Sequence, residues 1–152
     1  AMQEKLFPLA KWITPNIPEA ELICGRKLTT TAELAESAQM ISEKYRCSCL
    51  LKSGHAITSD QVTDIICDQG KLFALRSPAV KIEKNAAHGT GCTLSAALTA
   101  GFALEENWQN VLRSAKAFVF GSLRENIRLS SSLSQMYPPE KNYFNQVSLN
   151  EL

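Results

Sequence analysis

The residues best suited to chemistry lie in one short run, His88-Gly89-Thr90-Gly91-Cys92-Thr93, immediately before an apolar stretch Leu94 to Leu104. Two glycines let the backbone turn tightly and approach a ligand without a Cβ in the way. The first turn of a helix starting here presents unpaired N–H groups, and the helix dipole favours an anion beside them. A phosphate group suits such a nest. The same field favours the thiolate of Cys92 and makes it a candidate base or nucleophile. A glycine-rich helix start with a buried cysteine accounts for the spacing equally well. Other anion motifs do not fit. No Gly-Lys-Ser/Thr follows, as a Walker loop requires, and the third glycine of the dinucleotide fingerprint is replaced by Leu94. Cys47 and Cys49 are one residue too close for the usual zinc pair, and His55 and His88 lack zinc-pair spacing, so these cysteines read as strand packing. A nucleophile elbow is absent as well.

The elements that must carry this run alternate between strand and helix. Trp12-Ile13-Thr14 reads as a short strand stopped by Pro15. Thr30 and Glu33 form a capping box, and Leu34, Ala38, Ile41 and Tyr45 fall on one face of a helix over residues 31–45. Cys49-Leu50-Leu51 reads as a buried strand ending at Lys52-Ser53-Gly54. Val62 to Cys67 and Leu72 to Leu75 flank a hairpin turn at Asp68-Gln69-Gly70. Val80-Lys81-Ile82 reads as another strand. A helix is expected from Thr90 to about Leu104, and a second, capped by Asn107, to about Ile127. This is an α/β pattern, with helices packed on a largely parallel sheet. The Ser130-Ser131-Ser132 run and the Pro138-Pro139 pair mark residues 130–152 as a loosely packed tail.

Composition narrows the partners. The chain has 152 residues, with 16 Lys+Arg against 15 Asp+Glu and a net charge of +1. That balance lacks the broad basic field of a nucleic-acid or membrane-surface binder. No apolar run reaches the length of a membrane span, and the opening residues lack the charged-then-apolar profile of a secretory leader. Five cysteines, an odd and scattered set, argue against a disulfide framework and for a reducing cytoplasm.

Four segments occur in an order that carries a resemblance: Thr14-Pro15-Asn16-Ile17-Pro18-Glu19-Ala20-Glu21, Leu51-Lys52-Ser53-Gly54-His55, Asp64-Ile65-Ile66, and His88-Gly89-Thr90-Gly91-Cys92-Thr93-Leu94-Ser95-Ala96-Ala97. Together they resemble the hydroxymethylpyrimidine/phosphomethylpyrimidine kinases of thiamine biosynthesis, members of the ribokinase-like superfamily. The similarity spans roughly residues 4–127 and corresponds to the carboxyl-terminal, nucleotide-binding half of the family domain, here residues 3–129. It implies a three-layer sheet with helices on both faces. It also implies ATP and Mg²⁺ as cofactors and a small pyrimidine as substrate. Gly89, Thr90 and Gly91 match the anion hole around the transferring phosphoryl group. Cys92 matches the catalytic residue that takes the proton of the attacking oxygen. Asn16 and Glu19 match the motif that holds Mg²⁺ through water, although turn chemistry around Pro15 and Pro18 with a helix-start glutamate explains them too. Lys52 matches the lysine that reaches the ATP phosphates; a solvated strand-end lysine is the plain alternative. Lys116 matches a lysine near the nucleotide ribose, where an exposed helix lysine is the alternative. His55 and His88 flank the site in structural roles.

The departures set the competing readings. Ser53 stands where the family has glycine in Lys-Gly-Gly-His, which adds a side chain near the expected nucleotide. The glycine-rich ending is missing, and the family's amino-terminal half, with most of the pyrimidine-binding residues, has no counterpart. One reading is therefore a kinase. Another is a truncated nucleotide-binding paralogue or subunit without turnover of its own, and a third is a pyridoxal kinase. A homodimer, or a complex with a separate amino-terminal half, follows from the sheet edge and from Leu98, Phe102, Val111 and Phe118, which need cover.

Overall fold

Local sequence explains the first helices. In the computed structural model, residues 1–54, 60–81, 89–104, 107–128 and 134–152 are described. Helix α1 spans Met2–Lys5, strand β1 Trp12–Ile13, helix α2 Ile17–Cys24 and helix α3 Thr31–Tyr45. The Thr30/Glu33 capping box is present as expected: Thr30 Oγ1 accepts from Glu33 N at 3.2 Å, and Thr30 N donates to Glu33 Oε2 at 2.8 Å. Leu34, Ala38, Ile41 and Tyr45 are all buried, so the stripe read from the sequence is the packed face. The helix ends where Arg46 turns left-handed at φ 55°. Tyr45 also holds the amino-terminal segment, donating to Gln3 Oε1 at 2.9 Å and meeting the Phe7 ring edge-on at 5.1 Å.

The Glu33 carboxylate is held down to about 2, first by the backbone N–H of Thr29, then by that of Thr30 and by both hydroxyls. A depressed carboxyl stabilises the fold above its unfolded value of 4.5, and this contribution is lost as pH falls towards 2. The urea midpoint of Glu33→Gln is therefore expected to lie below that of the unaltered protein at pH 7, with the gap closing as pH falls from 4.5 to about 2.

Strands β2 (Ser48–Leu51), β3 (Gln61–Asp68), β4 (Lys71–Pro78) and β7 (Ser148–Glu151) join β1 in a five-stranded sheet of order β1-β2-β3-β4-β7. The sheet is mixed rather than largely parallel. β1 and β2 run parallel, Ile13 beside Cys49, because α2 and α3 supply the long crossover that parallel neighbours need. β2 and β3 are antiparallel, with Leu50 opposite Ile66. β3 turns into β4 through Gln69 and Gly70 at φ 50° and 78°, the paired positive angles that a two-residue hairpin turn requires. Cys49, Leu51, Ile65 and Cys67 face one way and pack with Leu34, Ala38, Ile41 and Tyr45. Fully burying each large aliphatic side chain contributes about 1.5–3 kcal/mol.

The chain divides into two compact units, residues 1–76 with 150–152, and residues 77–149. The second unit holds helices α4 (Thr90–Ala103) and α5 (Trp108–Arg124) and the short pair β5 (Ile127–Arg128) and β6 (Ser134–Gln135). α4 matches its expected span; α5, capped by Asn107 accepting from Gln109 N at 2.9 Å, ends at Arg124, short of the expected Ile127, which lies in β5. The two helices approach closely at Gly101, where an added Cβ would stand 2.7 Å from Val111 Cγ1. Leu98 and Val111 are therefore already covered, whereas Phe118 stays exposed. Val80 and Lys81 are not in a strand, and Ile82 lies outside the described residues. In place of a loose tail, residues 134–152 contain β6, a 3-10 turn at Phe144–Gln146 and β7, with Tyr143 and Val147 buried. Aromatic anchoring explains this order: Tyr143 packs edge-on against Phe120 at 5.4 Å, and the Arg113 guanidinium lies 3.9 Å from the centre of the Phe144 ring.

Candidate functional site

In the first unit, the end of β1 and the end of β2 are brought side by side. Asn16 and Lys52 form a parallel bridge beyond the two strands, and Lys52 N donates to Pro15 O at 2.8 Å. Both residues thus sit at the carboxyl ends of neighbouring parallel strands, where open α/β sheets place ligand contacts. Asn16 is at the same time the N-cap of α2. Its Oδ1 accepts from Glu19 N at 2.9 Å, and its own N–H donates to Glu19 Oε2 at 2.8 Å. The helix-start reading of this pair is therefore realised, and it fixes the oxygens of Asn16 and Glu19 together at one point. Fixing them does not exhaust them, since a carboxylate offers about four lone-pair sites and an amide oxygen two. Oxygen donors of this kind fit Mg²⁺, which keeps several waters and needs few protein ligands. Among the described residues, no three His, Cys, Asp or Glu side chains form a group able to hold a metal ion.

The turn after Lys52 has a support that the sequence reading quoted in the segment Asp64-Ile65-Ile66 without giving it a role. Asp64, a carboxylate in the middle of apolar β3, is only 3% exposed, and its Oδ1 accepts from Ser53 N at 2.9 Å. Ser53 Oγ lies 3.5 Å from the same oxygen. The hydroxyl added at position 53 is thus turned to Asp64. Gly54, at φ 59°, is the residue of this turn whose backbone favours glycine. The available signal was the lone acid within Val62-Thr63-Asp64-Ile65-Ile66. Asp64→Ala leaves the buried Ser53 N–H without this acceptor and is expected to cost about 1–3 kcal/mol, readable from urea unfolding.

In the second unit, helix α4 starts within the glycine-bearing run, as expected. Gly89 is the N-cap at φ 89°, and Thr93 N donates to Gly89 O at 2.9 Å. The helices α2, α3 and α5 each begin with a side-chain cap from their N-cap residue, whereas the N-cap of α4 is a glycine. Gly91 lies within the helix, so the conformational demand for glycine falls on Gly89. Cys92 is exposed in the first turn, which rules out the buried-cysteine alternative, whereas Cys49 and Cys67 are buried on strands β2 and β3 and Cys47 is buried just before β2, not in a strand. Burial pushes the Cys47 and Cys49 thiols up, the latter strongly. Lys116 lies on α5 and is 6% exposed, between the buried Ala115 and Ala117, so it is not a solvated helix lysine. His55 and His88 lie outside the described residues.

Comparison with known proteins agrees with this geometry. Residues 1–136 match the family model described as phosphomethylpyrimidine kinase. The chain is 38% identical over 130 residues to the hydroxymethylpyrimidine/phosphomethylpyrimidine kinase of Rhizobium meliloti, covering 85% of this chain and 48% of that protein. It is 33% identical over 132 residues to the protein of the same name from Haemophilus influenzae, with the same two coverages, 85% and 48%. Among solved structures, pyridoxal kinase from Staphylococcus aureus in complex with AMP-PCP superposes with a TM-score of 0.88 at 27% identity, over 99% of this chain and 56% of that one. The fold is thus the ribokinase-like α/β class, and the chain spans about half the length of the curated relatives it matches.

Proposed function

The chain belongs to the phosphomethylpyrimidine kinase family, and from that premise we propose that it forms the nucleotide-binding half of an ATP- and Mg²⁺-dependent kinase for hydroxymethylpyrimidine and its monophosphate. The observation that carries this reading is the start of α4, a helix end opened by Gly89 with an exposed Cys92 in its first turn. The backbone N–H groups around Gly89, Thr90 and Gly91 stabilise charge on the transferring phosphoryl group, as phosphoryl transfer demands positioning and charge stabilisation above all. Cys92 Sγ takes the proton of the substrate hydroxyl. That oxygen bonds to the γ-phosphorus as the bond to the bridging oxygen breaks, ADP leaves, and the thiol returns its proton to solvent. Lys52 offsets phosphate charge, and Lys116 lies near the ribose. Asn16 and Glu19 would hold Mg²⁺ through water, and the ion would screen the phosphates. Five free cysteines suit a reducing cytoplasm, and among the described residues no helix is long and apolar enough to cross a membrane.

Turnover belongs to an assembly that also supplies the other half of the relatives' length. The exposed Leu9 and Leu22 in the first unit, 82% and 79% accessible, are apolar surface that the rest of the family domain, or a second copy of this chain, would cover. A pyridoxal kinase is the second reading, favoured by the superposition on the staphylococcal enzyme. Calorimetric titration with ATP and Mg²⁺ tests nucleotide binding by the chain itself. Light scattering, with an ADP-coupled assay on hydroxymethylpyrimidine and on pyridoxal, tests assembly and substrate. A chain that binds no ATP removes the reading, and turnover on pyridoxal alone selects the second.

A further inference from the structure

Lys52 is tied through its backbone to the strands on either side of it. Its own N–H donates to Pro15 O at 2.8 Å, on the β1 side. The next N–H, that of Ser53, donates to Asp64 Oδ1 at 2.9 Å, on the β3 side. The β2–β3 ladder runs to Leu51 opposite Ile65, so the next step of that register sets Asp64 across from Lys52. Where β2 ends, a carboxylate of β3 therefore accepts a main-chain N–H. Ser53 and Asp64 are both buried, so water does not compete for their bond, whereas Lys52 is only half-buried.

A peptide group is planar, so fixing the Ser53 N–H also fixes the Lys52 carbonyl, and fixing the Lys52 N–H fixes the plane before it. These two planes set the direction in which the Cα–Cβ bond of Lys52 leaves the sheet. We infer that Asp64 is a positioning residue: through the Ser53 N–H it orients the backbone of Lys52, and so aims the lysine side chain at the nucleotide phosphates. A base held in place before the ligand arrives removes part of the ordering cost of binding. The inference rests on the assignment of Lys52 to those phosphates and adds the buried group that directs it. By charge alone, a carboxylate beside a phosphate site disfavours the anion, so the benefit of Asp64 lies in its geometry.

ATP titration of the full, folded chain tests it, with Asp64→Ala and Asp64→Asn each made alone and Asp64→Ala also made in a Lys52→Ala background. Asp64→Ala is expected to weaken ATP binding about 3–10-fold, the equivalent of ordering one long side chain afresh. Asp64→Asn is expected to stay within about twofold of the unaltered chain or bind more tightly, since its amide oxygen still accepts from Ser53 N and its negative charge is gone. In the Lys52→Ala background, Asp64→Ala is expected to change affinity by less than about twofold, because the residue it acts through is absent. A purely structural role lowers the thermal midpoint and shows no such dependence on Lys52. Asp64→Ser, whose hydroxyl lies one bond nearer the strand than the carboxylate oxygen, replaces the alanine variant if that does not fold, with the same loss expected. Three results overturn the inference while the assignment of Lys52 stands: unchanged affinity in Asp64→Ala, an asparagine variant as weak as the alanine one, or the same loss with and without Lys52. A Lys52→Ala chain that binds ATP as tightly as the unaltered one, or an unaltered chain that binds none, overturns both.

Discussion

Cys92→Ser is expected to lower phosphoryl transfer by roughly 10²–10⁴-fold in the catalytically complete assembly, the usual cost of removing a general base. ATP affinity should stay within about twofold, because the phosphate donors in the same turn are backbone N–H groups that serine leaves in place. The physical reason is acidity: a serine hydroxyl does not ionise in the range where a thiol does, so the proton of the attacking oxygen loses its acceptor. Steady-state rates from an ADP-coupled assay, alongside ATP titration, separate the two quantities. Equal turnover in the variant would leave Cys92 as an exposed residue without a part in the chemistry.

Gly89→Val is expected to weaken ATP binding by at least about tenfold. The residue sits at φ 89°, where an L side chain costs roughly 1–2 kcal/mol, and a β-branched one more. Relaxing that strain swings the N–H groups of the first turn away from the direction they now share. The same substitution at Gly91 is expected to act less through strain, since Gly91 lies inside α4 at an ordinary helical angle. Calorimetric titration of both variants gives the comparison, and equal losses would show that space near the ligand, rather than the turn, sets the requirement.

The parts of the fold legible in the sequence are those where local chemistry decides. The capping box before α3, its stripe from Leu34 to Tyr45 and the glycine-bearing hairpin after Asp68 all act within a few residues, and the structure contains them as read. The start of α4 was legible for the same reason, although two glycines in one run do not reveal which carries the positive angle. Strand direction was less legible because it follows from connections, and the antiparallel pairing of β2 with β3 turned an expected largely parallel sheet into a mixed one. β7 was missed because Ser148-Leu149-Asn150-Glu151 carries one apolar residue. Its place comes from tertiary pairing, with Leu152 N bonded to Leu72 O at 2.9 Å. At Asn16 and Glu19 two readings competed, and the capping box that the structure contains is compatible with both. Lys116 is buried on α5, which no reading of charge along a helix would show.

The distribution of thiols gives this protein two built-in clocks. An alkylating reagent at neutral pH meets Cys92 directly, so its labelling rate should follow occupancy of the helix start in the second unit and slow as ATP is added. Cys47, Cys49 and Cys67 are closed off in the first unit, and their labelling must wait for that core to open. Mass spectrometry of a single time course therefore records ligand protection in one unit and breathing of the other without any introduced probe. A ligand that slows only the first clock acts locally. One that slows both also stabilises the first unit, and its binding free energy can be followed there cysteine by cysteine.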